Sequence, residues 1–234
     1  MKTFLFTALA MSAILLFTSC RVIMGLKQPR HLSDEDIIRL AKKYRIPAED
    51  CYELDSNYLL FSLQTGQQQP EKKFKDFSQP LQIRYYDTDD GYLQSFHINC
   101  YADRGLAGIL FGLEWNKEGC MDLFPPLQQA PLDSLLPLNE LMYYMRKLRT
   151  TRPAKSGDFD YVVVVYWNRM MGKHVPRMVK QVKRNVRKAE KYKVKVLYAN
   201  NENLFMGHYK SKFTPKDTRK YDIDYQKLMK PQAP

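Results

Sequence analysis

The stretch that most limits what this chain can fold into lies at 161–201. "YVVVVYW" (Tyr161–Trp167) is β-branched and aromatic throughout, with no alternation of polar and apolar residues. Such a run marks a strand buried on both faces. Pro176, with its φ pre-set near −65°, suits a first helical turn. Val175, Val179, Val182, Val186 and Ala189 then recur at helical spacing. "VKVLYAN" at 194–200 is a second strand. Strand, helix and strand in close succession predict a βαβ unit, because parallel neighbours need a long crossover and a helix is the usual one. The class expected is therefore α/β, with α+β as the alternative.

Four further segments can be placed. "SDEDIIRLAKKY" at 33–44 opens with a capping box, Ser33 and Asp36, and aligns Ile37, Ile38, Ala41 and Tyr44 on one helical face. "LQIRYYDTDDGYLQSFHINC" at 81–100 reads as an antiparallel hairpin turning at "DTDDG", with Tyr92, Phe96, Ile98 and Cys100 at alternating positions. The glycine- and aromatic-rich residues 105–126 are expected to add a strand or two. "LNELMYYMRKLRT" carries a helical stripe of Leu138, Leu141, Met142, Met145 and Leu148, which Pro153 ends. Residues 57–64 are apolar without an assignable period, 65–73 read as a loop, and 207–234 as a basic polar tail.

The N-terminus addresses location. Lys2 precedes an apolar stretch over residues 4–17, too short for a membrane span of about 20 residues. "FTSC" at 17–20 resembles the cleavage site of a bacterial lipoprotein signal, with Phe17 in place of the usual leucine. That resemblance implies removal of residues 1–19 as a signal peptide and lipid attachment at Cys20. An ordinary secretory signal is the alternative. Two or three acyl chains exceed the one-chain limit for stable anchoring, so the lipid bilayer is an expected partner through acylated Cys20. Residues 20–32 then read as a lipidated tether and 33–206 as one domain. "RVIMGLKQ" after Cys20 lacks an acidic export run, which favours the periplasmic face of the outer membrane in a cell envelope. In an exported chain Cys100 and Cys120 are a candidate disulfide that leaves Cys51 odd; three buried free thiols are the competing reading.

The order of motifs from Tyr161 onward resembles the core of the thioredoxin-like fold. In that family a central strand ends in an aromatic pair, a C-x-x-C loop sits on the N-terminus of a long helix, and a parallel strand runs into an Asn- or Asp-rich turn. Here "YW" at 166–167, the loop, the helix and "ANNEN" at 199–203 follow that order. The alignment sets the C-x-x-C on Met171, Gly172, Lys173 and His174. Disulfide exchange needs a thiolate, which a helix N-terminus normally stabilises. Met171 cannot ionise and His174 cannot replace a resolving thiol, so the resemblance implies a redox-inactive member. The antiparallel strands that should follow in the family are not recognisable after Asn203, and the hairpin at 81–100 is the candidate to complete the sheet.

Charge is the remaining signal. The chain carries a net +12, and residues 169–195 hold eleven Lys or Arg against one acidic residue, Glu190. With the valines turned inward, Arg177, Lys180, Lys183, Arg184, Arg187, Lys188 and Lys191 form a basic face that repels itself at i,i+4 spacing. It is either a solvated surface or a candidate anion-binding face for anionic lipid, glycolipid or an acidic protein. Nucleic acid would suit the charge but not an exported compartment. One histidine beside Met170 and Met171 makes no metal cluster, and no cofactor is expected. No G-x-S-x-G, H-E-x-x-H, P-loop or dinucleotide fingerprint is present. A binding or structural role in the envelope is the expectation; an enzyme using Cys51, Cys100 or Cys120 is the alternative.

Overall fold

The computed structural model describes residues 25–55, 57, 58, 61, 76, 78–132, 135–148 and 158–206. Residues 1–19, expected to be a signal peptide, Cys20, the expected loop at 65–73 and the expected tail at 207–234 lie outside the described residues. The described chain is α/β: a six-stranded mixed sheet flanked by helices. Its strands are β1 (Cys51–Leu54), β2 (Gln82–Asp87), β3 (Leu93–Ile98), β4 (Met145–Lys147), β5 (Tyr161–Trp167) and β6 (Val194–Asn200). The helices are α1 (Asp34–Lys43), α2 (Leu106–Phe111), α3 (Leu138–Tyr143) and α4 (His174–Val186). Across the sheet the order is β3-β2-β5-β6-β1-β4.

The predicted βαβ unit is the centre of this sheet. β5 and β6 pair in parallel over their whole length, from Tyr161 against Val194 to Trp167 against Asn200. The hairpin at 81–100 forms and pairs antiparallel to β5 through β2, Arg84 opposite Val164. The absence of alternation in β5 has its cause in the two layers around it. Val163, Val165 and Trp167 join Ile37 and Ala41 of α1 and Val175, Met178, Val179 and Val182 of α4 in one core. Val162, Val164 and Tyr166 face the other way, into a second core with Leu138 and Leu141 of α3, Tyr58 and Leu197. Full burial of such a side chain is worth about 1.5–3 kcal/mol, so a polar residue on either face of β5 would forfeit that.

Three expectations need correction. The stripe of "LNELMYYMRKLRT" is helical only to Tyr143. Met145 and the residues after it become β4, which pairs antiparallel with β1; an available strand edge outweighs helix propensity there. Residues 105–126 supply no strand: they hold α2 and an irregular run pinned to α4 by Asn185, whose Nδ2 donates to the carbonyls of Met121 (2.9 Å) and Leu123 (2.7 Å). Residues 25–32, expected as part of a loose tether, are docked.

One buried cation stands out in the second core. Arg84 is fully buried, and no carboxylate among the described residues pairs with it. It donates from Nε (3.1 Å) and Nη2 (2.7 Å) to Gln82 Oε1, and from Nη2 to the Tyr58 hydroxyl (3.1 Å). Its guanidinium carbon lies 4.6 Å from the centre of the Tyr166 ring. Amide, phenol and ring faces replace part of the hydration that burial removes, and Nη1 has no hydrogen-bond partner among the described residues.

Candidate functional site

At the carboxyl end of the central strands the chain builds a buried polar cluster. β5 runs out into Asn168, and β6 into Asn200, Asn201 and Glu202; all four side chains are buried. Buried polar groups of this kind are ordinarily hydrogen-bonded, and here they bond to one another and to the segments beside them. Asn168 Nδ2 donates to Asn201 Oδ1 (2.8 Å) and to the Pro80 carbonyl (3.0 Å), while its Oδ1 accepts the Met171 N–H (2.9 Å). The Asn200 side-chain oxygen accepts the Glu202 N–H at 3.1 Å. Glu202, with no exposed surface, accepts the Met170 N–H at 2.9 Å and lies 3.4 Å from the Arg169 guanidinium.

This cluster holds down the N-terminal segment. The Lys27 N–H donates to the Met170 carbonyl (2.8 Å), the Arg30 N–H to Glu202 (3.2 Å) and the Leu32 N–H to Asn203 Oδ1 (2.9 Å). Asn203 Nδ2 donates back to the Leu32 carbonyl (3.0 Å) and to Glu53 (2.5 Å), and Arg169 donates to the Gln28 carbonyl. Glu53 is also bound by Arg146, which reaches Asp34 at 2.7 Å. That ion pair holds the Asp34 carboxyl below its usual range, mainly through the Arg146 hydrogen bond. Residues 25–32 thus lie as a strap across the end of the sheet.

The four positions aligned with a C-x-x-C lie under and beside the strap. Gly172 adopts φ +47°, and a Cβ there would overlap the Gly25 carbonyl oxygen. Lys173 packs its methylenes against Gly25. Met171 is half-buried against the first core, and His174 is buried at the start of α4. Among the described residues no thiol lies on this edge. Cys51, on β1, is buried, and burial, with Asp50 and Glu53 adding to it, pushes its thiol up to about 12. Cys120 is half-buried and likewise raised by burial, and Cys100 is exposed. All three are unbridged, so the Cys100–Cys120 pairing is not made in this structure. No group of three or more His, Cys, Asp or Glu among the described residues is placed to hold a metal ion.

The basic face of α4 divides into tied and untied residues. Lys183 Nζ donates to the Arg45 carbonyl (2.6 Å), Arg187 to the Lys183 carbonyl (3.3 Å), and Lys188 to the Asp122 carbonyl and carboxylate (both 2.9 Å). The Lys188 hydrogen bond is the first cause that lowers the Asp122 carboxyl. Arg177, Lys180, Arg184 and Lys191 are exposed. The first three line a groove of about 370 Å³ between α4 and residues 113–116. Sequence reasoning missed the strap and this groove. "ANNEN" is the strap's one visible signal: polar residues directly after a buried strand have to bind something.

No protein-family model matches the chain, and no curated protein or solved structure is similar to it. No helix among the described residues is long and apolar enough to cross a membrane.

Proposed function

We propose that this chain is a lipid-anchored, non-catalytic protein of the bacterial cell envelope, built on a thioredoxin-like core, with the basic face of α4 set against an anionic surface. The observation that carries the reading is the strap. The edge where the thioredoxin-like family performs its chemistry holds no cysteine, and the chain's own residues 25–32 cover it. Support for the core comes from the parallel β5–β6 pair with α4 between them and from the antiparallel hairpin beside β5. The family places that hairpin after the unit; here residues 82–98 supply it from ahead of the unit.

The strap also gives the anchor a consequence. Only four residues separate Cys20 from Gly25, so an acylated Cys20 would lie at most about 18 Å from the docked glycine, at 3.6 Å per residue. An anchor that short holds the domain close to the bilayer, where α4 can lay its basic face along the surface. Each basic residue held near an anionic leaflet is worth about 1 kcal/mol, which offsets the repulsion along α4.

The test reconstitutes the acylated chain in neutral and in anionic vesicles and follows modification of Lys180 and Lys191 by a water-soluble acetylating reagent. Anionic lipid should slow both, with the protection lost as salt rises. Equal rates in the two kinds of vesicle would remove the basic face from the account. Palmitate labelling that persists in Cys20→Ser would remove the anchor.

A further inference from the structure

From the groove between α4 and residues 113–116 we infer a binding site for a phosphate group. The inference rests on the proposed anionic partner and narrows it to one chemistry at one place.

Arg177, Lys180 and Arg184 stand at i, i+3 and i+7 of α4 and line a single groove. None of them has a hydrogen-bond or ion-pair partner among the described residues, whereas Lys183 of the same helix and Arg187 and Lys188 just beyond it are all tied down. The untied cations are thus gathered where there is room for a ligand. Glu114, the acidic residue of the groove, is bound by Arg104. That leaves three cations facing a space with no free counter-charge, an arrangement that costs stability unless an anion enters.

Two residues beside the groove bear on the site. Trp115 lines it while only 2% exposed, so its indole resonance reports on an anion that enters. Gly112 sits at φ +96°, and a Cβ there would overlap the Arg177 guanidinium. The missing side chain is therefore what lets Arg177 lie against the wall. Two guanidinium forks and an ammonium form a donor set with no acceptor among them, and planar guanidinium groups match phosphate oxygens two at a time. A phosphate monoester, as a lipid headgroup or free in solution, fits this set better than a carboxylate because it offers three oxygens.

The experiment follows the two indole N–H resonances of the full-length, ¹⁵N-tryptophan-labelled chain, in neutral micelles with inorganic phosphate and in vesicles with phosphatidic acid or phosphatidylglycerol. The Trp115 resonance should shift saturably with inorganic phosphate. Arg177→Ala with Arg184→Ala should weaken that binding by about tenfold or more, the loss of one charge-assisted hydrogen bond or more. Arg187→Ala should leave it unchanged, and Gly112→Ala should weaken it. A larger shift with phosphatidic acid than with phosphatidylglycerol assigns the phosphate to lipid; a shift with inorganic phosphate alone assigns it to a soluble phosphate. No shift with either, or a shift that survives the double substitution, overturns the site. Protection of Lys191 in anionic vesicles with a silent Trp115 would sink the groove and keep the basic face. A responsive Trp115 with no protection of Lys191 would keep the groove and sink the membrane-facing reading.

Discussion

Replacing Glu202 by glutamine probes the strap at its most buried point. The carboxylate has no exposed surface and faces three donors: the Met170 N–H at 2.9 Å, the Arg30 N–H at 3.2 Å and the Arg169 guanidinium at 3.4 Å. A carboxylate can accept from all three; a carboxamide of the same shape cannot, since one of its two ends is itself a donor. At least one donor is then left facing an NH₂ group, and Arg169 loses its counter-charge. Removing one partner of a buried pair costs about 3–5 kcal/mol. For a domain of this size each kcal/mol is worth about 2–4 °C in Tm, so Glu202→Gln should melt about 10 °C below the parent chain by circular dichroism. Glu190→Gln, on the exposed side of the basic segment, should change stability by less than about 0.5 kcal/mol. If the two variants melted together, Glu202 would not be holding the strap and the network at the end of the sheet would carry no energy.

Native alkylation should label Cys100 first: it is exposed, whereas Cys51 is buried with its thiol pushed up to about 12; mass spectrometry showing Cys51 modified at neutral pH without unfolding would contradict this. Burial lowers the His97 imidazole to about 4 from 6.5. Below pH 6.5 the unfolded chain therefore takes up a proton that the fold refuses, and stability falls as pH drops from about 6.5 to about 4, by about 3 kcal/mol. Denaturant titrations of His97→Gln should lack that component, and parallel curves for the two chains would refute it. Arg84→Ala strips hydrogen-bond partners from Gln82 and Tyr58 and empties the space beside Tyr166. It should lose about 3–5 kcal/mol in urea unfolding; a loss below 1 kcal/mol would show that the guanidinium contributes little.

The parts of this fold that could be read from residues are those whose cause is local. The all-apolar run of β5, the valine stripe of α4 and the turn between β2 and β3 each state their own geometry, and together they predict the centre of the sheet. β1 is four residues long, too short for a period to show, and it is a strand because β6 offers it a parallel edge. β4 is written in helix-forming residues and yields to pairing with β1. The strap has no pattern of its own, since its bonding partners lie as much as 172 residues away in Glu202 and Asn203. The site divided the same way: the basic face was legible from charge and spacing, but which of its cations are tied depended on contacts from Arg45 and Asp122 that no spacing encodes.

Hydrogen exchange at the amides of Lys27, Arg30 and Leu32 tests the closed edge most directly, because each donates into the carboxyl end of the sheet or the turns beyond it. A closed edge predicts that all three exchange far more slowly than unstructured peptide, and that Glu202→Gln accelerates them together. Exchange at the unprotected rate in the parent chain would mean that the strap is free, the edge is open, and the case for a non-catalytic scaffold loses its support.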